Sequence, residues 1–296
     1  MFENVIVGVD GRSGGDDAVH LAHQLAAPDA RVTLAYVYGD DDGPLGSGSM
    51  PLADQLDGAT RLLAGERERW WPAADTVCTE ARSAGTGLHQ IAEQRDADLL
   101  VVGSCHHGVA GKVLIGDDTR AAFAGAPCAI AIAPHGYALG DRGLELIAVG
   151  YDGRPESRRA LDAARELAQR TGAAINATWV VTLQDVRRRA PLPADWPAQT
   201  AAIVERTQAV LDGIEGIDGH AVYGGPREEL TKLATGADLL IVGSRGYGSL
   251  GSLFHGSVSS YLERHVASAL LVLPRDRMAS APLQQSRTGP GQALRA

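Results

Sequence analysis

Residues 238–259 read Asp238-Leu-Leu-Ile-Val-Gly243-Ser-Arg-Gly246-Tyr-Gly-Ser-Leu-Gly-Ser-Leu-Phe-His-Gly256-Ser257-Val258-Ser259. The stretch begins with an uninterrupted apolar run, which is typical of a strand buried on both faces of a sheet. A glycine-rich loop follows, and apolar residues then recur four positions apart at Val258, Leu262 and Val266, which is helical spacing. The stretch therefore predicts a buried strand, a loop and the N-terminus of a helix.

The loop between this strand and this helix is suited to binding an anion. Helix N-termini carry unpaired N–H groups and partial positive charge, and glycines let a ligand approach the backbone closely. Ser257 and Ser259 add hydroxyl donors, although the Walker pattern Gly-x-x-x-x-Gly-Lys-Ser/Thr does not occur in the sequence. Composition alone leaves open a plain surface loop whose serine caps the next helix.

Length and composition restrict the class of protein. A chain of 296 residues with 45% hydrophobic and 21% charged residues is typical of a soluble globular protein of about two domains. The net charge of −9 argues against non-specific binding to nucleic acid or acidic membranes. Three widely spaced cysteines and the lack of a basic leader or a long apolar run lead us to expect a cytoplasmic protein without disulfides.

The chain contains two copies of one unit. Val5-Ile-Val-Gly-Val-Asp10-Gly-Arg is echoed by Ile147-Ala-Val-Gly-Tyr-Asp152-Gly-Arg, and Asp98-Leu-Leu-Val-Val-Gly-Ser by Asp238-Leu-Leu-Ile-Val-Gly-Ser. Both pairs have nearly the same spacing, which indicates a tandem duplication. We expect one domain at residues 1–137, a second at 143–275, and a disordered polar tail at 276–296.

Each copy alternates strands and helices. The expected strands are 4–10, 31–38, 76–81, 98–103 and 128–133 in the first copy and 145–152, 174–181, 219–223, 238–243 and 269–273 in the second. The expected helices are 14–27, 52–70, 86–95 and 118–124, then 157–171, 199–213, 226–235 and 257–265. This alternation predicts an α/β fold with two five-stranded parallel sheets covered by helices on both faces.

The expected strand order in each copy is 3-2-1-4-5. In such sheets the ligand crevice lies at the carboxyl ends of the strands where the order switches, here between the first and fourth strands. The fifth strands, Cys128–Ala133 and Ala269–Leu273, are apolar edges that need cover. We therefore expect the two copies to pack together as a pseudo-dimer.

The spacing Gly243-x2-Gly246-x9-Gly256-Ser257 resembles the nucleotide-binding signature of the ATP-binding universal stress protein family. The likeness to its tandem-domain members covers residues 3–274. It rests also on the Val-Gly-x-Asp-Gly strand ends, the repeated Ala-Asp-Leu-Leu-x-Val-Gly-Ser strand and the aromatic-valine pairs Tyr36-Val37 and Trp179-Val180. The resemblance implies an adenine nucleotide alpha hydrolase-like fold and a regulatory protein that binds ATP in the stress response.

The resemblance also implies a set of site residues. Asp152 and the backbone of Val180 would hold adenine and ribose, and the glycine loop would hold the phosphates of ATP, with or without Mg²⁺. The full set is Gly150, Asp152, Val180, Gly243, Gly246, Gly256, Ser257, Val258 and Ser259. The residues alone favour a turn-capping role for Asp152, and we expect Ser157 to cap the following helix.

The first copy departs from the pattern in its glycine loop. His106 replaces the second glycine, and Gly116-Asp117 followed by Asp118 replaces the Gly-Ser pair. An Asp at a helix N-terminus satisfies the amides that a phosphate would use. A carboxylate ~5 Å from a phosphate charge costs about 3 kcal/mol at an effective dielectric constant of ~20. We therefore expect ATP mainly in the second domain.

Two clusters invite a metal interpretation. Cys105-His106-His107 are adjacent, so their side chains point in different directions, and no second Cys/His cluster completes a tetrahedral site. Asp40–Asp42 form an acidic loop triplet of a kind that is usually solvated. We expect no metal site at either place.

Two other functions remain open. Ser13-Gly-Gly-Asp-Asp17 resembles the Ser-Gly-Gly-x-Asp loop of adenylating ATP pyrophosphatases, but the second copy has Pro155-Glu-Ser157 there. Neither copy shows a nucleophile–base pair, so we expect no catalysis beyond slow ATP hydrolysis. The chain could instead be a nucleotide-free scaffold for an unidentified protein partner. Related tandem proteins commonly form homodimers, and we expect one here.

Overall fold

Strands and helices alternate through both halves of the computed structural model, which describes residues 2–39, 51–104, 127–140, 143–187, 196–244, 258, 261–262 and 265–274. The first half contains β1 (Phe2–Gly8), α1 (Ser13–Leu25), β2 (Ala26–Tyr38), α2 (Leu52–Trp70), β3 (Asp75–Glu80), α3 (Ala84–Gln94), β4 (Leu99–Gly103) and β5 (Ala129–Ala133). A 3₁₀ turn, Tyr137–Leu139, leads to the second half. That half contains β6 (Leu146–Gly150), α4 (Pro155–Thr171), β7 (Ala174–Val181), α5 (Leu183–Arg187), α6 (Trp196–Asp212), β8 (Asp218–Tyr223), α7 (Pro226–Ala234), β9 (Leu239–Gly243) and β10 (Ala269–Leu273).

The strands form one continuous sheet in the order β3-β2-β1-β4-β5-β10-β9-β6-β7-β8. Every pairing within a half is parallel, which confirms the expected order and the α/β class. The halves join through an antiparallel pairing of β5 with β10, where Ala131 lies opposite Leu271. The two apolar fifth strands therefore cover each other, as their sequences predicted.

The sheet has a hydrophobic core on each face. Alternate residues of a strand point to opposite faces, so Val5 and Val7 join one core while Ile6 joins the other. Helices α1, α2, α4 and α6 cover the first face, and α3 and α7 together with Leu262 and Val266 cover the second. Burial of each large aliphatic side chain contributes roughly 1.5–3 kcal/mol, which makes this double burial the main stabilising contribution.

The repeated aspartate before β4 and β9 has a structural role. Asp98 accepts hydrogen bonds from the backbone N–H groups of Glu3 and Asn4, at 2.7 and 3.1 Å. Asp238 accepts in the same way from Glu145 and Leu146, at 2.8 and 2.9 Å. Each aspartate thus pins the first strand of its half to the fourth.

Several elements differ from the sequence-based expectations. β2 begins at Ala26 rather than 31, α6 begins at Trp196 rather than 199, and the short helix α5 was not expected. α5 is too short for helical periodicity to show, but its capping box could have revealed it. In that box the Asp185 N–H donates to Thr182 Oγ1 at 3.3 Å, and the Thr182 N–H donates to Asp185 Oδ2 at 2.9 Å. The expected helix 118–124 and tail 276–296 lie outside the described residues.

The connection between the halves is held by buried polar contacts. Asp17 is 1% exposed and accepts from the N–H groups of Gly136 and Ala138, at 2.9 and 2.7 Å. The Tyr137 hydroxyl donates to Gln24 Oε1 at 2.5 Å. The pyrophosphatase-like residues therefore lie in the first turns of α1, and the carboxylate of Asp17 binds the inter-half connection.

Candidate functional site

A cleft of about 950 Å³ opens at the carboxyl ends of β6, β7 and β9. β6 and β9 are the first and fourth strands of the second half, so the cleft lies where the strand order switches. Its described lining includes five residues of the predicted set: Gly150, Asp152, Val180, Gly243 and Val258. The others, Gly246, Gly256, Ser257 and Ser259, lie outside the described residues.

Asp152 sits in a tight turn between β6 and α4. Its Oδ1 accepts from the N–H of Arg154 at 3.2 Å, and its Oδ2 lies 3.6 Å from Nε of the same arginine. Gly153 between them has a φ of +73°, a conformation that glycine adopts without steric cost. The turn-capping role that the residues alone favoured is present, and the same carboxylate lines the cleft.

Ser157 does not cap α4 in the expected way. The helix begins at Pro155 with Arg154 as N-cap residue, and no side chain caps it there. The Ser157 hydroxyl instead accepts from the N–H of Asp152 at 3.2 Å and donates to the carbonyl of Arg154 at 3.0 Å. The prediction placed the helix start two residues late because Pro at the first helical position was not taken as the start signal.

The end of β7 forms a second wall. Its last pairing with β6 joins Thr178 to Gly150, so Val180 lies past the end of the neighbouring strand. Val180 is buried and lines the cleft. Trp179 and Tyr151 also line the cleft, and their rings meet edge-on at a centroid distance of 5.7 Å. These rings fix the position of the strand end relative to the turn that carries Asp152.

Gly243, at the end of β9, is needed for packing. A Cβ built on it would lie 2.5 Å from the carbonyl oxygen of Glu156, so the absence of a side chain lets α4 approach the strand end. Gly103 is in the equivalent position, and there a built Cβ would collide with the carbonyl of Gly14. This packing accounts for the repeated glycine at the strand end independently of any ligand.

The sequence interpretation missed several lining residues. Gly225 is the N-cap residue of α7 and has no side-chain cap, while Arg227 and Glu228 in the first turn line the cleft. Arg154 and Asp185 also line it. The signal that was available for α7 is Gly224-Gly225-Pro226 directly after a strand, since Gly and Pro commonly mark a helix start.

The corresponding region of the first half is acidic. Asp10 Oδ1 accepts from the N–H of Arg12 at 3.0 Å, which repeats the turn at Asp152. Burial raises the pKa of the Glu66 carboxyl, and the nearby Asp16 and Asp10 carboxylates raise it further. The Trp70 indole N–H donates to Asp16 Oδ1 at 3.1 Å. Three carboxylates thus lie near the carboxyl end of β1, and the Arg69 guanidinium, 3.6 Å from Asp16 Oδ2, partly offsets their charge.

Three features that the sequence singled out in the first half fall in segments other than those described. Cys105-His106-His107, Gly116-Asp117-Asp118 and the Asp40–Asp42 triplet all lie outside the described residues. Within the parts of the chain that the structure does describe, no group of three or more His, Cys, Asp or Glu side chains could hold a metal ion. Among those same residues, no helix is both long and apolar enough to cross a membrane.

Comparisons with known proteins agree with this architecture. A universal stress protein of Mycolicibacterium smegmatis is 26% identical over 295 residues, which is 91% of this chain and 96% of that protein. The crystal structure of a putative universal stress protein from Pseudomonas aeruginosa UCBPP-PA14 matches with a TM-score of 0.64 at 15% identity, covering 92% of this chain and 93% of that one. A universal stress protein structure from Archaeoglobus fulgidus DSM 4304 matches with a TM-score of 0.61 at 17% identity, covering 93% and 97%.

The family model described as the universal stress protein family matches the chain twice, at residues 1–134 and 144–274. Each match contains one complete half of the sheet, from β1 to β5 or from β6 to β10. The chain therefore belongs to the universal stress protein family, as a member with two tandem domains.

Proposed function

We propose that this protein binds ATP in the cleft of its second half and acts as a regulatory protein of the stress response. One observation carries the proposal. The cleft opens at the switch in strand order and brings together the described members of the predicted nucleotide set, which come from β6, β7, β9 and the segment before β10. Residues far apart in the sequence meet at the place where α/β sheets bind ligands.

The size and lining of the cleft support a nucleotide. A volume of about 950 Å³ is within the range of small-molecule and cofactor sites. Val180, Leu183 and Leu230 supply apolar surface for a base, and the Asp152 carboxylate supplies an acceptor for ribose hydroxyl groups. Asp152 and Val180 would hold the nucleoside, and the glycine loop after Gly243 would hold the phosphates, with or without Mg²⁺.

A regulatory role is favoured over catalysis. The described lining of the cleft contains neither His nor Cys, and its Ser157 hydroxyl is engaged with the Asp152–Arg154 turn. The Thr182 hydroxyl also lines the cleft and donates to Asp185 Oδ2 at 2.6 Å, where the pair forms the capping box of α5. Bound ATP would then act as a signal, and the acidic first half would leave one nucleotide per chain.

Asp152→Ala tests the proposal, because the first half supplies a matched control. Both Asp10 and Asp152 accept a hydrogen bond from the N–H two residues on, so Asp10→Ala removes the same turn contact. Isothermal titration should show one ATP site per chain. Asp152→Ala should weaken ATP binding about tenfold or more, since it removes a charged hydrogen-bond partner, and Asp10→Ala should leave the affinity unchanged.

Three results would contradict the proposal. Two equally tight ATP sites per chain would overturn the assignment to the second half. Equal loss of affinity in both variants would show that the turn matters only for folding. No ATP binding by the intact protein, and no nucleotide released when it is denatured, would favour the nucleotide-free scaffold.

A further inference from the structure

The charges that line the cleft do not by themselves favour a polyphosphate. Asp152, Glu156, Asp185 and Glu228 contribute carboxylates, and Arg154 and Arg227 contribute the guanidinium groups of the described lining. A triphosphate would therefore meet repulsion unless one of these cations is available to it. The two arginines differ in whether a carboxylate of the protein already pairs with them.

Arg154 is already paired inside the protein. Its Nε lies 3.6 Å from Asp152 Oδ2, and its N–H donates to Oδ1 of the same carboxylate at 3.2 Å. Its charge balances the residue that would hold the nucleoside. Arg154 is thus a neutralising partner of Asp152.

Arg227 has a different environment. Its Cζ lies 5.6 Å from the centroid of the Tyr261 ring, and in the described parts of the chain its guanidinium forms no ion pair with a carboxylate. A cation over an aromatic face keeps the N–H donors at its edge available for hydrogen bonds. Arg227 therefore presents the unneutralised positive charge among the described lining residues.

The position of Arg227 places this charge beside the segment that leads into β10. Arg227 is the second residue of α7, and Tyr261 lies one turn beyond Val258, with its N–H donating to the Val258 carbonyl at 3.0 Å. The arginine therefore reaches from α7 to the segment that leads into β10. Val258 in that segment and Gly243 at the end of β9 also line the cleft.

We propose that Arg227 is the phosphate-binding cation of this cleft and gives it a preference for nucleoside triphosphates over nucleosides. The inference rests on the proposed ATP binding. A guanidinium donates two parallel hydrogen bonds to phosphate oxygens. Arg227 would thus supply the charge that a lysine supplies in Walker-type loops, a motif that this sequence lacks.

The next residue has the opposite effect. Glu228 also lines the cleft, and a Cβ built on Gly225 would collide with its Oε2, so the carboxylate lies against the N-terminus of α7. There it occupies the position where the helix dipole would favour an anion. Neutralising Glu228 should therefore strengthen binding of a triphosphate, and neutralising Arg227 should weaken it.

Titration of the full-length protein with ATP and with adenosine tests this pair. Arg227→Gln should weaken ATP binding about fivefold or more and leave adenosine binding unchanged. Glu228→Gln should tighten ATP binding and also leave adenosine unchanged. Lys232→Gln is the matched control, because Lys232 lies on the same helix, pairs with Glu229 at 2.7 Å and does not line the cleft. It should change neither affinity.

The outcomes separate this inference from the proposed function. If the unchanged protein binds ATP tightly and Arg227→Gln binds it equally well, the role of Arg227 is wrong and ATP binding stands. If Arg227→Gln loses ATP and adenosine alike, the arginine is structural and the inference is again wrong. If the unchanged protein binds no ATP, both proposals fail. Circular dichroism of each variant identifies loss of folding.

Discussion

The indole ring of Trp179 lies against the backbone of Gly153: a Cβ built on the glycine would come 2.8 Å from Cη2 of the ring. This contact joins the turn that carries Asp152 to the strand end that carries Val180. Both predicted nucleoside contacts are therefore fixed relative to each other by one aromatic side chain and one residue without a side chain. Substitution of either residue should therefore disturb the geometry of the site.

We expect Gly153→Ala to destabilise the protein by about 2–4 kcal/mol, from backbone strain together with the clash against Trp179. Gly172→Ala is the matched control. Gly172 has a φ of +79°, close to the +73° of Gly153, but a Cβ there would meet no atom within 4 Å. The control should therefore lose only the strain contribution, about 1 kcal/mol. Urea denaturation measures both.

A second substitution distinguishes strain from the clash. Trp179→Leu should cost less stability in the Gly153→Ala background than in the unchanged protein, because the smaller side chain makes room for the new methyl group. Equal destabilisation by Gly153→Ala and Gly172→Ala would show that the ring moves aside without cost.

Gly243→Ala should destabilise the protein by about 3 kcal/mol, because its Cβ would lie 2.5 Å from the backbone oxygen of Glu156, which cannot rotate away. Gly143→Ala, where a Cβ meets no atom within 4 Å, should be neutral. Thermal unfolding without nucleotide is the measurement. If Gly243→Ala were as stable as the unchanged protein but failed to bind ATP, Gly243 would serve ligand binding and not packing.

Glu66→Gln should stabilise the protein at neutral pH. Burial and the neighbouring carboxylates raise the pKa of Glu66 above its ordinary value of 4.5, and its buried Oε2 has no hydrogen-bond partner in the part of the chain that the structure describes. Below pH 4.5 both folded and unfolded chains hold the proton, so the glutamine variant should gain nothing. As the pH rises through the raised folded pKa, the unchanged protein loses stability relative to the variant.

The measurement is the free energy of unfolding of both proteins across the acid range. Glu68→Gln, on the exposed side of the same helix, is the control and should show no such trend. A stabilisation by Glu66→Gln that is largest at low pH would have the wrong sign for a raised pKa.

The two halves should not be stable as separate monomers. β5 is buried along its whole length, and in a fragment of residues 1–140 it would become an exposed apolar edge. We expect residues 1–140 and 143–274 to self-associate or aggregate when expressed alone, and to copurify as a one-to-one complex when expressed together. Size-exclusion chromatography is the measurement. Elution of the two fragments as separate monodisperse monomers that form no complex would contradict the β5–β10 pairing.

The strand order and most element positions could be predicted because their causes are local. A strand buried on both faces must be apolar throughout, as β9 and β10 are, and a duplicated sequence repeats the same units in the same order. The place of the cleft followed from that order. Asp152 and Val180 were predicted through the family resemblance, since the residues alone also fit an ordinary turn.

Other features depend on residues that are distant in sequence. Asp17 reads as part of a possible phosphate loop, but its carboxylate binds the N–H groups of Gly136 and Ala138. Arg227 reads as an ordinary helix residue until Tyr261 lies beneath it. Local patterns carry no information about such partners, because the sheet register sets which segments meet.

The sequence by itself determined the duplication, the parallel α/β class, the strand order and hence the place of the cleft at the switch in that order. Those properties follow from hydrophobic periodicity and chain connectivity, which depend on residues that are near one another in the sequence. Only the tertiary structure decided that β5 pairs antiparallel with β10 in one sheet, that Trp179 holds the Asp152 turn and that carboxylates gather near β1. These depend on side chains brought together from distant segments, and each is fixed by packing and charge once the sheet has formed.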